Sequence, residues 1–136
     1  MTKAVILAAG KGTRMRSQKP KVLQALAGRA LLGHVLDTAL GLGARDVVVI
    51  TGHQKEAVQA FATRHERVAC VVQEPQLGTG HAVMVSEKAL TAVDEVLIWP
   101  GDMPLLKKET LQAFFTAHRL GKKSASVLTC RQANPF

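Results

Sequence analysis

Between Lys11 and Lys21 the chain carries Lys11, Arg14, Arg16, Lys19 and Lys21, and no acid. These cations overlap and follow the small residues of "LAAGKGT", 7–13, which continue an apolar run. Gly10 and Gly12 allow successive backbone N–H groups to face an anion. Ala8, Ala9 and Gly10 leave peptide groups uncovered, so a planar base or a ribose can lie against them. Arg14 offers forked donors to a polyphosphate, Lys21 a mobile point charge, and Pro20 fixes the chain just before it. These residue types describe a loop for a nucleoside triphosphate. It matches neither of two familiar phosphate loops. A dinucleotide fingerprint needs a third glycine where Met15 stands, and a Walker A loop needs Gly-Lys-Ser/Thr, whereas Gly12 is followed by Thr13.

Other polar residues close apolar runs. Asp102 follows Gly101 after "EVLIWP", 95–100. A carboxylate there can hold Mg²⁺, with waters and phosphate oxygens filling the remaining positions. It can equally cap a turn before Pro104. Gln73, at the end of "VACVVQ", reads by itself as a polar strand terminus. His53 and His81 also follow strands. Neither has a partner at metal-ligand spacing, and both read as loop packing or helix starts. No Ser–His or Cys–His constellation supplies a nucleophile.

The elements that must position these residues alternate. Residues 3–7, 46–51, 68–73, 95–99 and 124–130 read as strands, the fourth broken by Pro100. Leu32, Val35, Leu36, Ala39 and Leu40 have helical spacing, ended by Gly41 and Gly43. Further helices are expected over 55–65, over 80–89 and around Leu111, Phe114, Phe115 and His118. Apolar strands alternating with helices make an α/β domain with a mainly parallel sheet. Ligands of such sheets sit outside the carboxyl ends of the strands. Those ends are 8–21, 52–54, 73–80 and 100–105.

The 136 residues suffice for one domain with a core, and 47% hydrophobic and 21% charged content is ordinary for a soluble protein. The net charge of +8 is concentrated, since every cation up to Arg29 precedes the first acid, Asp37. With four Phe, one Trp and no Tyr, the chain lacks the aromatics that stacking on nucleic acid requires. A small, highly charged anion fits better. No apolar run is long enough for a bilayer, and the apolar start is too short for a signal-peptide core, so a cytoplasmic protein is expected. Cys70 and Cys130 match no metal or redox spacing and are expected to be reduced and buried.

"LAAGKGTRM" followed by "KPKVL", then "QEPQLGTGHAV" and "GDMPLL", occur in this order along the whole chain. Together they resemble the sugar-1-phosphate nucleotidylyltransferases, and within them the uridylyltransferase domain of the bacterial N-acetylglucosamine-1-phosphate uridylyltransferases. The resemblance implies a Rossmann-like three-layer nucleotidyltransferase fold with a mainly parallel sheet. It implies UTP and a sugar-1-phosphate as partners, with no nucleic acid and no membrane. It also implies Mg²⁺ as cofactor and uridylyl transfer with release of pyrophosphate, in the synthesis of cell-envelope (peptidoglycan) precursors. By the same resemblance Leu7, Ala8, Ala9 and Gly10 read uracil and ribose, while Gln73, Gly78 and Thr79 lie against the base. Arg14 binds triphosphate, Lys21 contacts phosphates and supports catalysis, Gly101 allows close approach, and Asp102 holds the metal. One position departs: Pro100 stands where the family commonly has an aromatic residue, near the sugar.

The resemblance further implies that residues 1–136 are the amino-terminal nucleotide-binding part. A Gly-Tyr-Gly-Arg segment, most sugar contacts, a second metal ligand and an acetyltransferase β-helix would lie beyond, and oligomerisation would fall to that carboxy-terminal domain. Two other readings stand beside this one: a nucleotide-binding module without turnover, and a nucleotidylyltransferase for another sugar phosphate.

Overall fold

A computed structural model of the protein describes residues 2–10, 12, 17–131 and 133. The chain divides into two compact units, Met1–Leu105 and Leu106–Phe136. The first opens with β1 (Thr2–Ala8), a 3₁₀ turn (Lys21–Leu23) and a hairpin of β2 (Ala25–Leu26) and β3 (Arg29–Ala30). There follow α1 (Leu31–Gly41), β4 (Val47–Thr51), α2 (Lys55–Ala62), β5 (Val68–Val72), α3 (Thr79–Met84), a second 3₁₀ turn (Glu87–Leu90) and β6 (Glu95–Pro100).

The four long strands form one parallel sheet in the order β5-β4-β1-β6. β1 and β4 are central, with neighbours on both sides, and their apolar runs are buried throughout the middle: Ala4, Val5, Ile6, Val47, Val49 and Ile50 are inaccessible. Such unbroken apolar runs are what a strand covered on both faces requires. On one face Val5, Ala9, Val48 and Ile50 pack with Ala82, and Val85 joins them from just beyond α3. Strand alternation sends Ala4, Ile6, Val47 and Val49 to the other face. Right-handed crossovers β1-α1-β4 and β4-α2-β5 put α1 and α2 there, because both connections step the same way along the sheet. α1 buries Leu32, Val35, Leu36 and Ala39, and Gly33 lets it approach α2: a Cβ at Gly33 would lie 3.2 Å from Phe61 Cζ.

The third crossover runs from β5 back past β4 and β1 to β6. The order therefore reverses between β1 and β6, the switch point at which parallel sheets open a crevice.

Several boundaries differ from the sequence expectation. β6 includes Pro100, which is tolerated because it is the last residue of an edge strand. The helix expected over 80–89 is the short α3 followed by a turn and the second 3₁₀ segment, and α2 stops at Ala62. The β2–β3 hairpin gave no signal. Its turn residues Ala27 (φ 51°) and Gly28 (φ 78°) both have positive φ, as a type I′ turn demands, but alanine stands where Asn or Asp would announce it.

The second unit contains α4 (Lys108–Leu120), where the Arg119 guanidinium lies 5.5 Å from the Phe115 ring centre. The strand expected over 124–130 is absent: the segment is exposed and takes part in no ladder, with Val127 82% exposed. An apolar run becomes a strand only where a neighbour takes up its N–H and C=O groups. The cysteines are free, as expected, but not both buried. Cys70 is half-buried, and that burial raises its thiol pKa, while Cys130 is exposed. Among the described residues no helix is long and apolar enough to cross a membrane.

Candidate functional site

The carboxyl ends of the four sheet strands are knitted together by backbone hydrogen bonds. Gly101 N–H donates to Leu7 O at 2.9 Å, His53 N–H to Ala9 O at 3.3 Å and Gln73 N–H to Thr51 O at 2.8 Å. With its amide turned to the orientation that satisfies both ends, Gln76 adds a side-chain link, donating to Ala9 O at 3.2 Å and accepting from His53 N–H at 2.8 Å. These contacts need glycine beneath them. A Cβ on Gly52 would stand 2.9 Å from Ala9 Cβ, and one on Gly101 would stand 3.1 Å from Leu7 O. Of the strand-end residues expected to meet a ligand, Leu7 and Ala9 thus have carbonyls already committed, and Gly101 has its N–H committed. Ala8 and Ala9 are buried, while Gly10 is exposed with no atom within 4 Å of where a Cβ would be. Gly10 is the open floor of this edge.

Beside it stands a charge pair. Lys21 opens the first 3₁₀ turn, whose Val22 and Leu23 are buried and hold it in place. Leu23 N–H closes the turn onto Pro20 O at 2.9 Å. Gly12, at φ 57°, packs directly on Lys21: a Cβ there would fall 2.9 Å from Lys21 Cβ. Lys21 Nζ lies 2.6 Å from Asp102 Oδ2, and both side chains remain partly accessible, at 43% and 30%. The structure therefore joins Gly12, Lys21, Gly101 and Asp102 at the β1–β6 crevice. Lys19 is exposed, with its backbone N–H on Ser17 Oγ at 3.1 Å. Gln54 ties this basic segment to the end of β4 by donating to Gln18 O at 2.6 Å. Lys11, Thr13, Arg14 and Arg16 lie outside the described residues.

At the opposite edge of the sheet Gln73 follows β5 and is buried, only 4% exposed. Its Nε2 donates to Gly78 O at 2.9 Å and makes a second contact with His81 Nδ1 at 3.2 Å. Gly78 O also accepts from Ala82 N–H at 3.1 Å, so one carbonyl joins Gln73 to the start of α3. Gly78 needs to be glycine at φ 98°. Thr79 and Gly80 are exposed at the opening of α3. Sequence reasoning assigned His81 to loop packing or a helix start, and it does lie in the first turn of α3; its contact with Gln73 was hidden because it depends on the turn between them. Pro100 is exposed and pairs in register with Leu7.

These groups form a line along the carboxyl edge: Gln73 after β5, Gly52 and His53 after β4, Ala9 and Gly10 after β1, then Gly101 and Asp102 after β6. Three inter-strand steps make this line about 14 Å long. One end is a buried amide, the middle is bare backbone, and the other end is a cation beside a carboxylate. Among the described residues no three His, Cys, Asp or Glu side chains come together to hold a metal. A hard divalent cation completed by phosphate oxygens and water needs one or two carboxylates, so Asp102 fits that use and not a protein-only cage.

The chain is similar to the bifunctional protein GlmU of Alkaliphilus metalliredigens, with 50% identity over 133 residues, 98% of this chain and 29% of that protein. It is 52% identical over 128 residues to the bifunctional protein GlmU of Paracidovorax citrulli, 92% of this chain and 27% of that protein. It therefore spans less than a third of the length of these relatives. Among solved structures, a nucleotidyl transferase of Methanothermobacter thermautotroptrophicus superposes with a TM-score of 0.74 at 26% identity, covering 83% of this chain and 56% of that one. The pattern of one family runs through residues 4–135: the chain belongs to the MobA-like NTP transferase domains.

Proposed function

We propose that the chain binds UTP along the carboxyl edge of its sheet and serves uridylyl transfer to N-acetylglucosamine-1-phosphate, giving UDP-N-acetylglucosamine and pyrophosphate. The observation that carries this reading is the order of groups along that edge. A buried amide for a base, open backbone at Gly10 for a ribose and the Lys21–Asp102 pair for phosphates stand in the order of a nucleotide's own parts. Their span of about 14 Å suits an extended nucleoside triphosphate. The similarity to proteins named GlmU supports the choice of sugar phosphate.

In the reaction an oxygen of the sugar phosphate attacks the α-phosphorus, and the bond to the bridging oxygen of pyrophosphate breaks. No protein nucleophile is required. The chain's part is to align and to neutralise. Leu7, Ala8, Ala9 and Gly10 carry the nucleoside, Gln73, Gly78 and Thr79 hold the base, and Lys21, with Arg14 in the same loop sequence, draws charge from the phosphates. Gly101 keeps the backbone low beside Asp102. Asp102 would hold Mg²⁺, which when bound withdraws charge from phosphate oxygens.

Calorimetry with UTP, GTP and ATP tests the first step, and a coupled pyrophosphate assay with N-acetylglucosamine-1-phosphate tests the second. Tighter binding of UTP together with pyrophosphate release supports the whole reading. Binding without release restricts the chain to nucleotide binding. Equal affinity for UTP and GTP overturns the assignment of the base site.

A further inference from the structure

We infer that His81 is a positioning residue that fixes the amide of Gln73 and so makes the site favour uracil over cytosine. This inference rests on the reading of Gln73 as the residue that meets the base.

The carboxamide of Gln73 has two N–H donors and one acceptor oxygen. One N–H is committed to Gly78 O at 2.9 Å and the other faces His81 Nδ1 at 3.2 Å. Nε2 can only donate, so Nδ1 accepts, and the neutral imidazole carries its proton on Nε2. Both donors are then occupied, and nothing among the described residues donates to Oε1. The donors are thus withheld, and the oxygen is the amide atom left for a ligand. Uracil carries an N–H at N3, which such an oxygen can accept. Cytosine in the same pose carries a bare N3 lone pair, and two acceptors then oppose each other. Rotating the amide by half a turn would offer cytosine a donor. That rotation would bring Oε1 against Gly78 O and require the imidazole to move its proton from Nε2 to Nδ1.

Gly78 O accepts from Ala82 N–H at 3.1 Å as well, so its two lone pairs are shared between the amide and the start of α3. His81 supplies the second fixed point. Thymine has the same N3–H as uracil, so this device separates uracil from cytosine and leaves thymine to other contacts.

The test is the ratio of UTP to CTP affinity, measured by calorimetry on the chain with His81 intact and replaced. His81→Leu removes the acceptor, and the ratio should fall by about tenfold, the worth of one buried hydrogen bond. His81→Asn restores an acceptor close to the Nδ1 position and should recover most of the ratio. A residue that only packs would weaken both nucleotides alike, so an unchanged ratio in His81→Leu overturns the inference. A wild-type chain that prefers UTP to GTP but shows no preference over CTP overturns the inference while leaving nucleotide binding intact. A wild-type chain with no preference for uridine nucleotides at all overturns the base site and the inference with it. A readout independent of mutant folding is the Gln73 side-chain NH₂ in the wild-type NMR spectrum. Slow exchange of both protons supports the arrangement, and fast exchange of either overturns it.

Discussion

Lys21 Nζ lies 2.6 Å from Asp102 Oδ2, joining a buried 3₁₀ turn to the end of an edge strand. Both side chains are partly exposed, so water screens the pair, and it adds at most about 1 kcal/mol to stability. Its position at the switch point is where the proposed phosphate site lies. Lys21→Ala should shift the urea midpoint little but weaken UTP binding by about 1.5–3 kcal/mol, the worth of a hydrogen bond to a charged group. Uridine, which has no phosphates, should bind nearly as before. Equal losses for UTP and uridine would remove Lys21 from the phosphate site.

Among the described residues Asp102 belongs to no group of three or more metal-ligating side chains. Its affinity for Mg²⁺ should therefore be weak until phosphate oxygens complete the shell. Titration of the chain with Mg²⁺ should give measurable heat only with UTP present. Asp102→Asn should abolish that dependence while the thermal midpoint stays close to wild type.

Gly12 and Gly28 form a matched pair for mutation. Both have positive φ, but a methyl group at Gly12 meets Lys21 Cβ at 2.9 Å and one at Gly28 meets nothing within 4 Å. Alanine at either position should cost about 1–2 kcal/mol from backbone strain. Only Gly12→Ala should also displace Lys21 and weaken UTP relative to uridine. Paired denaturation and calorimetry curves separate the two effects.

Burial raises the Cys70 thiol above its ordinary pKa. The folded chain keeps this proton at a pH where the unfolded chain has lost it. The stability linked to the group is thus complete below the ordinary thiol range and is lost as pH rises through the folded value. In a Cys130→Ser chain, alkylation of Cys70 by iodoacetamide should lag behind that of the urea-unfolded chain, and the lag should shrink as the pH is raised. Equal rates at all pH values would contradict the burial effect.

Much of the fold was legible because its central strands are covered on both faces and read as unbroken apolar runs. "KAVIL" and "DVVVIT" declared themselves in this way. The run over 124–130 looked similar and is no strand, since composition cannot supply a neighbouring edge. Ala27 hid a turn because its left-handed backbone is set by the hairpin around it. In the candidate site, Lys21 and Asp102 were visible separately as a cation after Pro20 and an acid after a strand. Their approach was not, because it depends on β6 returning beside β1. His81 was read only as loop packing or a helix start for the same reason: the contact with Gln73 exists only once the turn at Gly78 folds it back.

The order of strands also bears on how such a chain diverges over time. The buried amide of Gln73, proposed above to meet the base, follows β5, the Lys21–Asp102 pair stands beside β6, and β4 and β1 lie between them. On that proposal, substitutions in the loop from Gln73 to His81 would alter which base is accepted without touching a residue of the Lys21–Asp102 pair. Descent with change of nucleotide then needs no intermediate that has lost its grip on phosphate. A fold that separates identity from chemistry in space lets inheritance revise the first while the second is kept.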